Sequence, residues 1–136
     1  MNAQPQVVIE ESPHEESRHS AGARTATADF LVQHCPWVDP DAVLLVVSEL
    51  VTNAVRHTAA GWWRLRLTAG HDTLLVQMDD SSPLPPIARE PDFAGGGGFG
   101  WHMVQRLAGR VEVRQLPYGK SIRATWVRQP LAPSPA

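Results

Sequence analysis

A polar stripe along one predicted helix carries side chains that can do chemistry. Glu49, Thr52, Asn53 and Arg56 recur at spacings of three and four residues, so they share one helix face. The Asn53 amide oxygen can ligate a hard cation such as Mg²⁺, and the Glu49 carboxylate can orient or deprotonate a nucleophile. An ordinary solvated face is the alternative interpretation. The rim of a pocket is favoured because Asn and Thr are poor helix-interior residues and because apolar positions flank the stripe.

Asp80, at the end of a predicted strand, is the second candidate. It continues the alternation of Leu74, Val76 and Met78, so its side chain should point to the same buried face. A buried carboxylate needs partners, because otherwise its pKa rises. Two interpretations stay open. Asp80 could open a turn over residues 81–83, or it could accept a hydrogen bond from the amino group of a ligand.

A glycine-rich segment is the third candidate. Residues 95–100 read Gly-Gly-Gly-Gly-Phe-Gly and precede a predicted helix. Glycine lets a backbone approach a phosphate closely, and a helix N-terminus supplies oriented N–H donors. The segment could equally be a flexible linker, and neither a Walker A sequence nor a dinucleotide fingerprint surrounds it. His57, at the end of the stripe-bearing helix, could contact a phosphate or simply complement the helix dipole.

The helix that carries the stripe has the clearest start signal in the chain. Asp39 can cap it, Pro40 suits the first helical position, and Asp41 favours the positive helix end. Apolar residues recur at helical spacing over residues 40–57 and form a wide stripe of their own. This pattern predicts a largely buried helix.

The remaining elements suggest a sheet covered by helices. Period-two alternation predicts strands over 63–67 and 74–80, joined by a turn. The other predicted elements are helices over 20–34 and 100–109, a final hairpin of strands 111–115 and 121–127, and a short strand at Val7-Val8-Ile9. This order predicts an α/β (α+β) two-layer sandwich, with a mixed, mainly antiparallel sheet and helices on one face. We expect a polar leader over 1–19, one domain over 20–128 and a disordered tail over 129–136.

The composition narrows the function classes. The chain has 136 residues, is 43% hydrophobic and carries a formal net charge of -2, so it gives no sign of direct nucleic-acid binding. The start of the chain lacks the basic region of a signal peptide, and no apolar run approaches the ~20 residues that span a bilayer. We therefore expect a cytoplasmic protein without membrane contact. Cys35 is the single cysteine, and we expect a small buried apolar residue there.

Taken in order, these segments resemble the Bergerat-fold (GHKL) ATPases, which include DNA gyrase, Hsp90, histidine kinases and anti-sigma-factor kinases. Residues 48–57 are similar to the N-box of the small anti-sigma-type serine/threonine kinases of actinobacteria. Residues 76–83 resemble the strand and turn that hold adenine, and residues 97–104 the glycine box that opens the next helix. Residues 119–121 resemble a late Gly-x-Ser motif. The likeness covers about residues 20–127 and implies the Bergerat ATP-binding fold.

The resemblance also implies a role for each matching residue. Glu49 would be the general base, and Asn53 would ligate the Mg²⁺ that bridges the phosphates of ATP. Asp80 would accept a hydrogen bond from the adenine amino group, backed by the Ser121 hydroxyl. Residues 84–99 would form a lid. The implied ATP-binding residues are Asn53, Arg56, His57, Asp80, Pro83, Gly98, Gly100, Trp101 and Ser121.

Two functions stay open, because some positions depart from the family pattern. The turn after Asp80 lacks the usual glycine, Phe99 stands where arginine is frequent, and Trp101 stands where leucine is usual. One function is an ATP-dependent serine/threonine kinase that phosphorylates an anti-anti-sigma partner and also binds a sigma factor. The other is a non-catalytic module whose ATP or ADP state gates binding to a sigma factor or another regulator. Many relatives dimerise, so a homodimer is among the expected states.

Overall fold

The structure is a computed structural model that describes residues 4–11, 19–57, 61–82 and 100–129. In this part of the chain the elements run in the order β1 Gln6–Glu11, α1 His19–His34, α2 Pro40–His57, β2 Trp63–Ala69, β3 Thr73–Asp80, α3 Gly100–Leu107, β4 Arg110–Leu116 and β5 Gly119–Val127. Each predicted helix and strand has a counterpart among them. The short strand expected near Val8 is β1, and α3 ends at Leu107, two residues earlier than predicted.

Helix α2 starts where its capping residue predicts. The Asp41 backbone N–H donates to Asp39 Oδ1 at 3.0 Å, which satisfies one of the orphan donors of the first turn. Val43 N donates to the Asp39 carbonyl at 3.3 Å and closes the first helical turn. The buried residues of α2 are Ala42, Val43, Val46, Val47, Leu50, Val51 and Ala54. The wide apolar face therefore packs into the core, as expected.

The five strands form one sheet in the order β1-β2-β3-β5-β4. All four pairings are antiparallel, so the described part of the sheet is antiparallel rather than mixed. Together with the three helices, this sheet confirms the predicted α+β two-layer fold. The connectivity explains this arrangement. The pairs β2–β3 and β4–β5 are hairpins, so their strands are antiparallel. The connection that contains α3 leads from β3 to β4, and β4 lies next to β5 rather than next to β3. Parallel neighbours need a crossover that returns the chain to the same end of the sheet.

The core lies between one face of the sheet and the helices. Along β2 and β3 every second residue is buried, which is the period expected when one strand face is covered. Leu65, Leu67 and Met78 from this face are inaccessible to solvent and join the same cluster as Val47 and Leu50 of α2. Helix α2 also contacts α1 and α3, so it is the central helix of the layer.

Two further findings concern single residues and the helices as a group. Cys35 is buried, as expected, and burial raises the pKa of its thiol because the apolar surroundings disfavour the thiolate. Across the described ranges, no helix has the length and apolar character needed to cross a membrane.

Candidate functional site

The N-terminus of α3 meets the polar stripe of α2 at Gly100 and Glu49. A Cβ atom placed on Gly100 would collide with the Glu49 carboxylate: it would lie 2.7 Å from Cδ and closer still to Oε2. A larger residue at position 100 would require the end of the Glu49 side chain or α3 to shift, so glycine allows this close approach without a rearrangement. Gly100, the first residue of α3, therefore has a packing role, and its approach to a phosphate stays a prediction.

This contact places a carboxylate at the positive end of a helix. The first N–H groups of α3 have no intrahelical partner, and the helix dipole adds partial positive charge there. The arrangement suits anionic groups in general, phosphate included. Thr52 and Asn53 are half-buried, like Glu49, whereas Arg56 is exposed. Three of the four residues of the stripe are thus partly covered, and the predicted pocket rim stays a prediction.

Asp80 is buried at the other end of the site, where β3 ends. Its side chain is 2% exposed and accepts hydrogen bonds from Lys120 Nζ, which lies 3.1 Å from both carboxylate oxygens. The Lys120 side chain is 1% exposed. Asp80 Oδ1 also accepts a bond from the Ser82 backbone N–H at 2.9 Å. Asp80 therefore opens a turn, which is one of the two interpretations, and its carboxylate is buried, as the strand alternation predicted. A bond to the amino group of a ligand stays a prediction.

Backbone packing holds Lys120 and Asp80 side by side. The two residues are cross-strand partners in the β3–β5 ladder, which brings their side chains to the same face. A Cβ atom on Gly119 would overlap the Asp80 carbonyl oxygen and lie 3.0 Å from Ser81 Cα. Glycine at 119 therefore allows β5 to begin directly against the end of β3.

Lys120 is the functional candidate that the sequence analysis missed. The hairpin turn was expected to span residues 117–120, which made Lys120 a turn residue. The turn instead contains only Pro117 and Tyr118, and Gly119 already pairs with Leu116. The alternation of side chains along the strand could have identified this residue. Ile122 points to the buried face, and Lys120, two residues earlier on the same strand, points to the same face.

Ser121 does not back up Asp80, contrary to what the resemblance implied. Its cross-strand partner is Asp79, so its side chain points to the opposite face of the sheet from Asp80 and Lys120. There its buried hydroxyl has no hydrogen-bond partner in the described part of the chain. It lines a shallow depression of about 360 Å³ together with Glu112, Val113, Arg114 and Arg123. The position beside the Asp80 carboxylate is taken by Lys120.

The other predicted ATP-binding residues are placed as follows. Trp101 is half-buried and packs against the hydrophobic core. Helix α3 is anchored at its far end because Trp126 Nε1 donates to the Leu107 carbonyl at 3.0 Å. His57 is the last residue of α2. Pro83, Gly98 and the predicted lid over 84–99 lie outside the described residues, so their roles stay predictions.

Comparison with protein families identifies the domain type. Residues 14–126 match the family described as histidine kinase-like ATPase domain. The chain belongs to this family. The match includes α2, β3, α3 and β5, the four elements that carry the polar stripe, the buried carboxylate, the glycine at the helix start and the buried lysine.

Two solved structures share this ATPase-domain fold. One contains the RsbU and RsbW domains of Rv1364c from Mycobacterium tuberculosis, with a TM-score of 0.61 and 17% identity over 90% of this chain and 32% of that one. The other is the histidine kinase domain of the blue-light activated histidine kinase from Erythrobacter litoralis EL346, with a TM-score of 0.50 and 25% identity over 65% of this chain and 44% of that one. The chain thus spans less than half of either structure. A search of curated proteins found no match.

The described residues suit the phosphates of ATP, whereas the region expected to hold adenine differs from what the resemblance implied. Membership of an ATPase-domain family makes ATP the expected ligand. Gly100, the first N–H groups of α3, which have no intrahelical partner, and the half-buried Asn53 amide suit phosphates and a hard cation. At the base end, the Asp80 carboxylate already accepts hydrogen bonds from Lys120. An adenine base would therefore meet an ion pair there rather than a lone carboxylate.

Proposed function

We propose that the chain is an ATP-binding regulatory protein of the anti-sigma type that phosphorylates a serine or threonine of an anti-anti-sigma partner. The observation that carries this proposal is the contact between Glu49 and Gly100. It brings a candidate general base to the helix N-terminus that would hold the phosphates of ATP. The family match supports the ATP domain, whereas the partners rest on the resemblance of residues 48–57 to anti-sigma-type kinases.

The phosphate end of the site would use α2 and the start of α3. Asn53 lies one turn after Glu49 and would offer its amide oxygen to Mg²⁺, and Arg56, which is exposed, and His57 would contact the phosphates. Bound ATP would supply the phosphoryl group, and Mg²⁺ would neutralise part of its charge. Gly98 and Gly100 would let the backbone approach the phosphates.

Glu49 would accept the proton from the hydroxyl group of the substrate. A carboxylate within hydrogen-bond reach of a serine hydroxyl can take that proton as the oxygen attacks phosphorus, and such base catalysis contributes about 10²–10⁴ in rate. The half-buried position of Glu49 limits the competing attack by water. We propose that the protein acts in the cytoplasm, where it would also bind a sigma factor.

Phosphoryl transfer is the experiment that tests the kinase proposal. Purified wild type and Glu49→Gln are incubated with Mg²⁺, ATP labelled in the γ-phosphate and a protein extract of the source organism. Glu112→Gln is the matched control, because Glu112 is exposed on β4, where it pairs with Arg110. We expect labelled phosphoserine or phosphothreonine with wild type and the control, and a loss of about a hundredfold or more with Glu49→Gln. Equal labelling by all three proteins would contradict the role of Glu49, and no labelling by wild type would contradict the kinase.

One observation favours a non-catalytic module as the second candidate. The Glu49 carboxylate already lies against the first residue of α3, so it is directed to the helix rather than to a substrate. In that case ATP or ADP binding without turnover would gate a protein partner. Glu49→Gln would then leave the affinity for that partner unchanged, and calorimetry would still detect nucleotide binding.

A further inference from the structure

The buried pair of Lys120 and Asp80 is a feature that the proposed ATP site does not require. Both side chains are almost completely buried, and the ammonium lies 3.1 Å from each carboxylate oxygen. The pair stands where the resemblance places adenine recognition. A base that enters must therefore either separate the two side chains or bind them together.

Separation is the less favourable course. Removing one partner of a buried ion pair leaves an uncompensated charge in a low-dielectric environment, which is strongly destabilising. The ladder pairing of residues 80 and 120, and the packing of Gly119 on the Asp80 backbone, also fix the two side chains on neighbouring strands. The pair should therefore stay intact when a nucleotide binds.

An intact pair still has hydrogen-bonding capacity for a ligand. A carboxylate offers about four acceptor positions, and an ammonium offers three donors. Hydrogen bonds from Lys120 and from the Ser82 backbone N–H use two acceptor positions on Asp80 Oδ1, and Lys120 Nζ lies 3.1 Å from Oδ2 as an ion pair. At most two of the three Lys120 donors are directed at Asp80. The pair thus presents an acceptor and a charged donor next to each other.

We propose that Lys120 reads the nucleotide base together with Asp80, by donating to a ring nitrogen next to the amino group of the base. This inference rests on the proposed ATP site. Adenine carries an amino donor at C6, flanked by the ring acceptors N1 and N7. The amino group donates to Asp80, and the ammonium donates to the flanking nitrogen. Lys120 is therefore a specificity-determining residue, and two charge-assisted hydrogen bonds hold the base instead of one.

The burial of the pair adds a requirement for nucleotide entry. Since the two side chains are 1% and 2% exposed, the base reaches them only after the pair is uncovered. Binding should therefore be accompanied by a rearrangement next to the end of β3.

A ligand series on the unmodified protein tests the inference. Calorimetry compares ATP with 1-deaza-ATP, 7-deaza-ATP and 3-deaza-ATP. The first two analogues each lack one ring nitrogen next to the amino group, and 3-deaza-ATP is the control because its missing nitrogen is remote from that group. We expect 1-deaza-ATP or 7-deaza-ATP to bind about tenfold or more weakly, the effect of one hydrogen bond to a charged group. The control should bind like ATP.

The same series on two variants assigns the effect to the lysine. Lys120→Met removes the donor at similar length, and Arg123→Met is the control, because Arg123 lies on the same strand and lines the depression on the other sheet face. We expect the discrimination to disappear in Lys120→Met and to persist in Arg123→Met. If Lys120→Met does not fold, equal binding of all four nucleotides to wild type still overturns the role of Lys120.

The two proposals fail in different ways. If ATP binds and both 1-deaza-ATP and 7-deaza-ATP bind equally well, the role of Lys120 is overturned while the ATP site stands. Discrimination that persists in a folded Lys120→Met variant also overturns that role. If ATP itself does not bind, the proposed function fails and the inference fails with it.

Discussion

At the scale of residues, the pair of Asp80 and Lys120 stabilises the fold only as long as both members are present. A buried ion pair gains Coulomb energy but loses solvation, so its net contribution is small. An unpaired buried charge, in contrast, costs about 3–5 kcal/mol. Folded domains are stable by only about 5–15 kcal/mol, so the loss of either partner should remove a large part of the free energy of unfolding.

A double-mutant cycle measures this dependence. We expect Asp80→Asn and Lys120→Met each to lower the free energy of unfolding by about 3–5 kcal/mol. The double variant should lose much less than the sum, because neither charge is then left alone. Urea unfolding followed by circular dichroism gives the three values. Strictly additive losses would show that the two side chains are not energetically coupled.

At the scale of elements, the approach of α3 to α2 depends on the missing side chain at Gly100. Gly100→Ala introduces a methyl group where the Glu49 carboxylate lies, so either α3 or Glu49 has to move. We expect ATP affinity to fall by about tenfold or more, since a displacement of this size disturbs site geometry. Calorimetry measures the change.

Gly22→Ala is the matched control for this prediction. Gly22 lies in α1, and a Cβ atom there would meet nothing within 4 Å. Alanine favours helix over glycine by roughly 0.5–1 kcal/mol, so this variant should be slightly more stable and bind ATP like wild type. An unchanged affinity in Gly100→Ala would refute the packing role of that glycine.

Helix α2 offers a further matched pair that tests its buried face. Leu50 is 1% exposed and Leu45 is 46% exposed, although both are leucines of one helix. Leu50→Ala should lower the free energy of unfolding by about 2–5 kcal/mol through lost burial and a cavity. Leu45→Ala should change it by about 0.5 kcal/mol or less. Equal losses, measured by urea unfolding, would contradict the assigned orientation of the helix.

The elements that the sequence predicted well are those with local signals. The start of α2 follows from Asp39, Pro40 and the helical apolar spacing, all of which lie within a few residues of one another. Strand β3 and the burial of Asp80 follow from simple alternation. These features need no knowledge of the rest of the chain.

The base end of the site was predicted less well because it depends on pairing between distant segments. Asp80 and Lys120 are 40 residues apart, and their register depends on where the β4–β5 turn lies. A turn extended two residues too far assigned Lys120 to a loop, and the role of Ser121 beside Asp80 came from the resemblance alone. Neighbouring residues of a strand point to opposite faces of a sheet, so Ser121 faces away from Asp80 where Lys120 faces it.

At the scale of the whole molecule, the proposed ATP site draws on two regions that are separate in the sequence. The proposed phosphate end lies on α2 and α3, whose contact includes Glu49 and Gly100. The proposed adenine end lies on the adjacent strands β3 and β5. Helix α2 packs on β3 and on α3, so one helix connects both ends. We therefore propose that a single nucleotide binds across these two ends.

Calorimetric titration with ATP, with and without Mg²⁺, tests this claim most directly. Wild type is compared with Asn53→Ala, which removes the amide at the phosphate end, and with Ser121→Ala, which changes the opposite sheet face. We predict that wild type binds ATP and that Mg²⁺ strengthens the binding. The Mg²⁺ effect should be lost in Asn53→Ala and retained in Ser121→Ala. Absence of binding to wild type at millimolar ATP, or a Mg²⁺ effect that survives in Asn53→Ala, would contradict the account.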